Sequence, residues 1–334
     1  MPTRQHVYYM RILILGAAGF LGKKLVVKLL KKGAISLNGA PPKKIEELIL
    51  FDRFLPKGIE EDPRVSLVAG DICDPSAIRS LLDQPVELIF HLAAVVSGEA
   101  EKNFDLGMKV NLHATLELLE VCRNLEQKPV LVFSSSCAAY GGELAKGVIK
   151  DETAATPMSS YGMQKVVGEL LVNDYSRRGF IDGRILRLPS IVVRGGKANA
   201  ATTSFISGII REPLQGDRAS CPVDRSTRVW ILSPRRMTEN FIHAAQLSME
   251  KLGNNRILTM PGLSTTVDDM VRSLAELAGK EVADLIDWEP DEFIQSVVLT
   301  FPTDFETKRA DELGFVRDES MREIIEIFQE DEMG

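Results

Sequence analysis

The stretch RILILGAAGFLG, residues 11–22, predicts a buried strand that runs through a glycine turn into a helix. Its apolar residues 12–15 are typical of a short strand, and the following KKLVVKLLKKG has helical periodicity. Gly16 permits a tight turn, Gly19 lets a pyrophosphate approach the backbone, and Gly22 lets the helix pack closely on the sheet. The helix N-terminus then faces the anion. An ordinary strand-to-helix turn is the alternative, because a glycine triplet alone is a weak signal.

The composition is typical of a globular protein that binds small ligands. The chain has 334 residues, of which 45% are hydrophobic, and this is enough for a sizeable core. Its net charge of −7 and its lack of a long basic cluster argue against a nucleic acid or an anionic membrane as partner. We therefore expect a small-molecule ligand, no nucleic acid and no membrane.

Cysteine usage and the N-terminal residues favour a cytoplasmic protein. The cysteines show no CxxC spacing, which is typical of reduced thiols and not of a disulfide framework or a zinc site. No apolar run reaches the roughly 20 residues that span a bilayer, and MPTRQHVYYM lacks the apolar core of a secretory signal. We expect residues 1–10 to form a loose N-terminal extension.

Strand-like runs alternate with helical stretches along the first part of the chain. The runs are RILIL (11–15), ELILF (47–51), VSLVA (65–69), VELIF (86–90), PVLVF (129–133) and RILRL (184–188). Continuous apolar strands between helices indicate a parallel sheet that is covered on both faces. The predicted fold class is therefore α/β, a doubly wound Rossmann sheet, with GAISLNGAPPKK (33–44) as an inserted surface loop.

The regular alternation fades in the last part of the chain. We predict a nucleotide-binding domain over residues 11–192 and a smaller, mostly substrate-binding region over 193–334, partly interleaved with the first. Helical patterns near 235–251, 267–279 and 319–331 belong to the second region.

Acidic residues follow two of the strands at the sheet edge where open α/β sheets bind ligands. Asp52 ends the second strand, where a carboxylate accepts hydrogen bonds from ribose hydroxyls and repels a 2′-phosphate, which selects NAD over NADP. A loop-capping aspartate is the alternative, and the neighbouring Arg53 could accept a phosphate. Asp71 in GDICD follows the third strand and could meet the adenine amino group.

Three further residues at this edge point to proton transfer. Ser136 in VFSSSCAAYG follows the fifth strand, and SSYGMQKVVGELL places Tyr161 and Lys165 four residues apart on one helix face. A tyrosine acts as a general base near neutral pH only where its phenolate is stabilised, and a lysine one turn away supplies that charge. Ser136 can hold the substrate oxygen by a hydrogen bond. An amphipathic surface pair is the alternative for YxxxK, and the upstream strand and serine favour catalysis.

These residues resemble the extended branch of the short-chain dehydrogenase/reductase superfamily, which includes nucleotide-sugar epimerases, over nearly the whole chain. The resemblance implies that Ser136, Tyr161 and Lys165 form a catalytic triad and that Lys165 also binds the nicotinamide ribose. It implies that Asn111 in KVNLHAT supports the lysine through the active-site helix, although a helix-interior residue with a local hydrogen bond is the alternative. The predicted contacts to NAD are Gly16, Gly19, Phe20, Leu21, Gly22, Asp52, Asp71, Ile72, Leu92, Ala93, Ala94, Asn111, Tyr161, Lys165 and Pro189.

Phrases similar to those of sugar-acid dehydrogenases in this branch, among them HLAAVVSGEAE, RLPSIVVR and MPGLSTTV, imply the reaction. Such enzymes oxidise the C2 hydroxyl of a short sugar acid to a 2-keto acid with NAD, and Tyr161 would be the general base. A nucleotide-sugar epimerase or dehydratase that retains its NAD is the first alternative. The second is a non-catalytic NAD-sensing regulator, against which the intact triad argues because a sensor needs no base.

The substrate contacts are predicted around one arginine. Nucleotide-sugar epimerases typically have an RDFIHVDD-like stretch whose arginine grips the diphosphate, and RVWILSPRR (228–236) stands at the comparable place. We expect its Arg228 to bind the carboxylate of the acid instead, with a surface or interdomain salt bridge as the alternative. The predicted substrate residues are Ser97, Ser136, Tyr161, Asn199 and Arg228.

Two further expectations concern metals and assembly. The four histidines form no HExxH or similar pair, so we expect no metal site. Helices carrying residues 103–124 and 160–177 resemble those that pair across a two-fold axis in this superfamily, and a homodimer is therefore expected. Their apolar positions could equally face the sheet.

Overall fold

The computed structural model describes residues 10–56, 58–59, 61–196 and 203–333, and its largest element is a parallel sheet. The strands are β1 (Met10–Leu15), β2 (Ala34–Ile35), β3 (Lys43–Asp52), β4 (Val65–Ala69), β5 (Leu88–His91), β6 (Val130–Ser136), β7 (Asp182–Leu188), β8 (Ser190–Ile191), β9 (Ala219–Cys221), β10 (Arg228–Leu232), β11 (Ile257–Thr259), β12 (Leu263–Thr266) and β13 (Ile286–Trp288). In the large sheet the parallel strands lie in the order β11-β7-β6-β5-β1-β3-β4. The six strands that the sequence predicts are β1 and β3 to β7, so the predicted α/β class is confirmed.

Helices cover both faces of this sheet, and further helices belong to the C-terminal part of the chain. They are α1 (Phe20–Lys32), α2 (Pro75–Leu81), α3 (Ser97–Lys102), α4 (Phe104–Gly107), α5 (Ala114–Arg123), α6 (Ser160–Arg177), α7 (Ser204–Leu214), α8 (Pro234–Gln246), α9 (Met249–Leu252), α10 (Val267–Ala278), α11 (Lys280–Ala283), α12 (Glu292–Val298), α13 (Lys308–Glu312) and α14 (Met321–Glu332). A π-helical turn, Met108–His113, joins α4 to α5. The three predicted C-terminal helical patterns correspond to α8 with α9, to α10 and to α14.

The side chains of β1 show why its sequence is apolar without alternation. Ile12 and Ile14 belong to the core cluster that contains α1 and α8, whereas Leu13 and Leu15 belong to the cluster that contains α2, α5 and α6. All four side chains are fully buried. Successive residues of a strand point to opposite faces, so a strand covered on both sides requires apolar residues throughout.

The glycine turn after β1 depends on close backbone contacts. Gly16 has a positive φ of 88°, and a Cβ there would lie 2.6 Å from the backbone nitrogen of Ala93. A Cβ on Gly22 would lie 2.3 Å from the backbone oxygen of Gly16. Both positions therefore exclude any side chain, as the strand–turn–helix interpretation requires.

Two segments differ in detail from the sequence prediction. Met10, assigned to the N-terminal extension, is the first residue of β1 and is buried, because it pairs with β3. The predicted surface loop 33–44 contains β2, which pairs antiparallel with the start of β3. Its Asn38 also accepts a hydrogen bond from Arg184 in β7, so the inserted segment is tied to the sheet.

The C-terminal part of the chain forms two small sheets and a third core cluster. β8, β10 and β12 make one sheet, and β9 pairs with β13 in the other. Helices α7, α10 and α14 pack against them around Ile209, Leu274 and Ile324, which are all fully buried. Between these elements the chain returns to the large sheet as α8 and β11. The predicted division into two regions, with its boundaries and its partial interleaving, stays a prediction.

Within the described ranges, no helix is both long enough and apolar enough to cross a membrane.

Candidate active site

A cavity of about 790 Å³ lies where the strands of the large sheet end and the C-terminal region begins. The residues that line it come from both parts of the chain. Those that the sequence predicted are Gly16, Gly19, Phe20, Leu21, Gly22, Leu92, Ala94, Ser97, Ser136, Tyr161, Lys165, Pro189 and Arg228. The structure therefore brings most of the predicted site residues around one space.

The N-terminus of α1 forms one wall of this cavity. Its N-cap residue Gly19 offers no side chain to bond the first turn, and Phe20, Leu21 and Gly22 follow as the first helical residues. The first backbone N–H groups of a helix have no intrahelical acceptor, and they carry partial positive charge. This wall fits the pyrophosphate of a dinucleotide.

The two predicted acidic residues lie beside the glycine turn, outside the lining of the cavity. Asp52 ends β3, and its Oδ2 accepts a 2.9 Å hydrogen bond from the backbone N–H of Ala18. Asp71 is exposed and accepts a 2.9 Å bond from the N–H of Cys73. That bond lowers the pKa of Asp71, with help from the charges of Lys109 and Arg53. The predicted cofactor residues Ile72, Ala93 and Asn111 also lie outside the lining, and Ile72 and Asn111 are buried.

Ser136, Tyr161 and Lys165 meet at the inner wall of the cavity. Lys165 Nζ donates a 2.9 Å hydrogen bond to the backbone oxygen of Ser134 and lies 5.6 Å from the centroid of the Tyr161 ring. Burial raises the pKa of Tyr161 to about 12, against the lowering effects of the Arg194 charge and a hydrogen bond with Ser136. Burial lowers the pKa of Lys165 to about 8, against the charge of Glu169.

A buried ion pair that sequence reasoning missed lies directly behind this triad. Arg187 in β7 donates from Nε and Nη2 to Glu169 in α6, at 2.8 and 2.6 Å. The Ser135 hydroxyl also donates to Glu169, and the Arg187 guanidinium lies 4.6 Å from the centroid of the Tyr140 ring. The pair fastens α6 to β6 and β7, and so holds the elements that carry the triad. The one signal in the sequence is that Glu169 follows Lys165 by four residues.

The buried side chain of Asn111 is hydrogen-bonded to two residues that are distant in the sequence. Its side chain exchanges hydrogen bonds with the backbone of Val95, at 2.8 and 3.1 Å, and its Nδ2 donates a 2.8 Å bond to Gln164 Oε1. These partners are 16 and 53 residues away, so the alternative of a local bond is wrong. Gln164 precedes Lys165 in α6, and Asn111 therefore contacts the active-site helix one residue from the lysine.

The predicted substrate residues lie on different walls. Ser97, at the start of α3, and Arg228, at the start of β10, both line the cavity. Arg228 is exposed and donates a 2.9 Å hydrogen bond to Ser264 Oγ. Within the described ranges it forms no ion pair, which argues against the salt-bridge alternative. Asn199 lies outside the described residues.

Sequence reasoning also missed the outer wall and one cation. The outer wall includes Trp230 in β10, Phe293 in α12 and the following residues 300–303. Arg194, shortly after β8, also lines the cavity. In the part of the chain that the structure describes, no group of three or more His, Cys, Asp or Glu side chains could hold a metal ion.

Comparison with known proteins places the chain in a family. The model of the NAD dependent epimerase/dehydratase family matches residues 12–244. The chain belongs to that family. It is 49% identical over 322 residues to the D-erythronate dehydrogenase of Cupriavidus necator, covering 96% of this chain and 98% of the relative. It is 41% identical over 324 residues to the D-erythronate dehydrogenase of Haemophilus influenzae, covering 97% of this chain and 100% of the relative.

A solved structure supports the same assignment. The chain has a TM-score of 0.91 and 43% identity to a crystal structure from Agrobacterium tumefaciens described as a nucleoside-diphosphate-sugar epimerase, covering 100% of this chain and 98% of that one. The resemblance to the epimerase/dehydratase family is thereby confirmed. The findings also confirm the prediction of an NAD-dependent oxidoreductase, and with it a nicotinamide cofactor.

Proposed function

We propose that this member of the epimerase/dehydratase family oxidises the C2 hydroxyl of a short sugar acid, D-erythronate or a close analogue, to the 2-keto acid with NAD. The observation that carries the proposal is the cavity that joins the N-terminus of α1 to Ser136, Tyr161 and Lys165. The names of the two relatives at 49% and 41% identity support the choice of substrate.

The reaction removes a hydride from C2 and a proton from the C2 hydroxyl, and each of them needs an acceptor. NAD supplies the acceptor for the hydride that leaves C2. Tyr161 takes the hydroxyl proton, so the acid and NAD⁺ become the 2-keto acid, NADH and one proton. Ser136, which lines the cavity together with Tyr161, holds the C2 oxygen in place. The Lys165 ammonium stabilises the phenolate that this step needs, because it lies 5.6 Å from the centroid of the tyrosine ring.

The chain's own residues would hold NAD at three places. The pyrophosphate meets the N-terminus of α1 at Phe20 and Leu21, and Asp52 binds the adenosine ribose. Leu92, Ala94 and Pro189 lie along the cavity between this helix and the triad, and there the nicotinamide half would lie. The remaining proposed contacts are Gly16, Gly19, Gly22, Asp71, Ile72, Ala93, Asn111, Tyr161 and Lys165.

For the substrate, Ser97 and Ser136 are proposed to bind hydroxyl groups, and Asn199 is a further proposed contact. Arg228 offers a positive charge on the lining of the same cavity. The cavity is large enough for a dinucleotide end and a four-carbon acid together, which fits a site where both must meet.

The proposal extends to assembly and compartment. We infer a homodimer formed through the helices that carry residues 103–124 and 160–177, supported by the exposed apolar side chains of Leu116 and Leu170. We infer a cytoplasmic protein, supported by the free thiols of Cys73, Cys122, Cys137 and Cys221.

The test is turnover of D-erythronate with NAD, followed as absorbance of the reduced cofactor. We expect steady formation of NADH, and a panel of other 2-hydroxy acids would rank the substrates. Tyr161→Phe is the matched control, and it should lose about 10²- to 10⁴-fold in rate while NAD binding changes little. Residual activity of that variant within tenfold of wild type would remove Tyr161 from the mechanism.

The alternatives predict other results. An epimerase or dehydratase would convert a nucleotide sugar without net NADH and would retain its NAD through purification. A non-catalytic sensor would bind NAD and turn over neither class of substrate. Either result would overturn the proposed function.

A further inference from the structure

We infer that Arg194 binds the carboxylate of the substrate, beside the oxygen on which Tyr161 acts. The inference rests on the proposed function and deepens it, since it assigns the group that recognises an acid. It depends on the place of Arg194 in the cavity and on the chemistry of a 2-hydroxy acid.

The side chain of Arg194 is held in a defined position. Its Nε donates a 3.0 Å hydrogen bond to the backbone oxygen of Ile191, and its guanidinium lies 5.3 Å from the centroid of the Phe20 ring. Phe20 is the first residue of α1, so the guanidinium lies beside the wall of the cavity that the N-terminus of α1 forms. One nitrogen is thus engaged, and the terminal nitrogens are the ones that can form a bidentate contact with a carboxylate.

The backbone of Arg194 is equally well anchored. Its N–H donates a 3.1 Å hydrogen bond to Ser207 Oγ, and its carbonyl oxygen accepts a 2.8 Å bond from Arg211 Nη1. Ser207 and Arg211 belong to α7 and are each only 2% exposed. The cation is therefore positioned before any ligand arrives, which reduces the entropy lost on binding.

Its charge has no anionic partner in the described part of the chain. Arg211 pairs with Glu212, whereas no ion pair involves Arg194 there. Burial lowers the pKa of Arg194, and Arg211 adds a like charge. A half-buried cation that faces a cavity without a counter-ion is costly, and an anion that enters the cavity relieves this cost.

The chemistry of the substrate places its carboxylate near this cation. In a 2-hydroxy acid the carboxylate carbon is bonded directly to C2, the carbon whose hydroxyl Tyr161 must reach. The cation that binds the carboxylate must therefore act close to the phenol. Arg194 lines the same cavity as Tyr161, and its charge is one of the two influences that lower the pKa of Tyr161 against the effect of burial.

Arg228 fits this requirement less well. It is exposed, it donates to Ser264 Oγ, and its charge acts on Asp269 at the start of α10. Its charge is not among those that shift the pKa of Tyr161. Arg228 is therefore the comparison residue for the experiment. The other ligand that Arg194 could bind is the pyrophosphate of NAD, because Phe20 lies at the N-terminus of α1.

The experiment compares Arg194→Gln, Arg194→Lys and Arg228→Gln with the unmodified protein. For Arg194→Gln we expect the KM for D-erythronate to rise about a hundredfold, while the Kd for NAD changes less than about threefold. Arg194→Lys keeps the charge without the planar fork, so its KM should rise about tenfold. Preference for the acid over its neutral amide should fall with Arg194→Gln and remain with Arg228→Gln.

Calorimetry of D-erythronate on the protein saturated with NADH measures the same contact without turnover. A wild type that binds the acid but does not oxidise it would therefore overturn the proposed function and still support Arg194. If Arg194→Gln loses affinity for the acid and for NAD by the same factor, Arg194 binds the cofactor and the inference is overturned. If the KM for the acid rises more in Arg228→Gln than in Arg194→Gln, Arg228 is the residue that binds the carboxylate. If the wild type does not bind the acid, the inference and the proposed function are both overturned. If Arg194→Gln does not fold, Arg194→Lys decides, since unchanged acid affinity there contradicts a bidentate contact.

Discussion

Lys165 Nζ and the backbone oxygen of Ser134 are joined by a 2.9 Å hydrogen bond that ties the helix α6 to the end of β6. The ammonium is held by the strand that carries Ser136, and it lies 5.6 Å from the centroid of the Tyr161 ring. Removal from water shifts the two pKa values apart, down to about 8 for Lys165 and up to about 12 for Tyr161. The protonation states of the two groups are therefore linked in any activity profile.

The pH dependence of kcat/KM should reveal this link. In the proposed mechanism the active form has the Tyr161 phenolate and the Lys165 ammonium together. Below pH 8 the lysine is charged and the phenolate fraction grows tenfold per pH unit, so log kcat/KM should rise with a slope of about one. Between pH 8 and 12 each gain in phenolate is offset by a loss of ammonium, and the profile should level.

Lys165→Arg separates the two ionisations, because a guanidinium stays charged throughout this range. The rise should then continue past pH 8, whatever the absolute rate. Lys102→Arg, at the exposed end of α3, is the control and should keep the wild-type profile. If log kcat/KM of Lys165→Arg still levels at the same pH as that of the wild type, the ionisation of Lys165 does not cause the levelling.

Asp52 should determine the choice between NAD and NADP. Replacing it with alanine removes the proposed ribose contact, the repulsion of a 2′-phosphate and the bond to Ala18, so NAD should bind at least about tenfold more weakly. The ratio of kcat/KM for NAD to that for NADP measures the preference, and this ratio should fall towards one. Asp52→Asn can still accept the Ala18 bond and loses the charge, so it should accept NADP while it retains the turn. An unchanged ratio in both variants would show that the ribose is recognised elsewhere, for example by Arg53.

The fold and the inner half of the site follow from local patterns in the sequence. Residues 12–15 and the three glycines after them predict a strand, a turn and a helix, since each requirement is met within a few residues. Tyr161 and Lys165 share a helix face because of their spacing, and Ser136 reaches them because it ends a neighbouring strand. Such features need no knowledge of how distant segments pack.

Contacts between distant segments could not be predicted in the same way. Glu169 and Arg187 pair only because β7 lies beside β6 under α6, and the spacing of Glu169 four residues after Lys165 does not specify this partner. Arg194 stands in the quoted phrase RLPSIVVR, yet its burial depends on α7. The outer wall at Phe293 follows β13 by only a few residues, and its position over the cavity is a result of tertiary packing.

The proposed homodimer has a specific surface to test. On α5 and α6 the side chains of Leu118 and Val172 are buried against the sheet, whereas Leu116 and Leu170 remain 37% and 60% exposed. Leu170→Glu should convert the dimer to a monomer in light scattering at micromolar concentration, because it adds a charge to an apolar interface. Leu144→Glu changes a similarly exposed leucine outside these helices and should remain dimeric. A monomeric wild type would contradict the proposal.

His91 should make the protein sensitive to acid. Thr115 Oγ1 donates its proton to the backbone oxygen of Asn111, so it accepts from His91 Nε2, 3.0 Å away, and the buried Nδ1 carries no proton. Burial, with the charge of Lys165, lowers the pKa of His91 to about 3 from an unfolded value near 6.5. Below pH 6.5 the unfolded chain binds a proton there that the folded chain does not, so stability falls as the pH falls, until both forms are protonated below pH 3.

The slope of the unfolding free energy against pH isolates this contribution. Within the window one such group removes about 1.4 kcal/mol per pH unit, so the slope between pH 6 and pH 4 should be smaller by about that amount in His91→Gln. His113→Gln removes an exposed histidine and should keep the wild-type slope. Denaturant unfolding at several pH values measures both. Because His91→Gln also loses packing against Phe133, its stability should be lower at every pH, and only the slope decides. Equal slopes in His91→Gln and the wild type would show that His91 is protonated in the folded chain as readily as in the unfolded one.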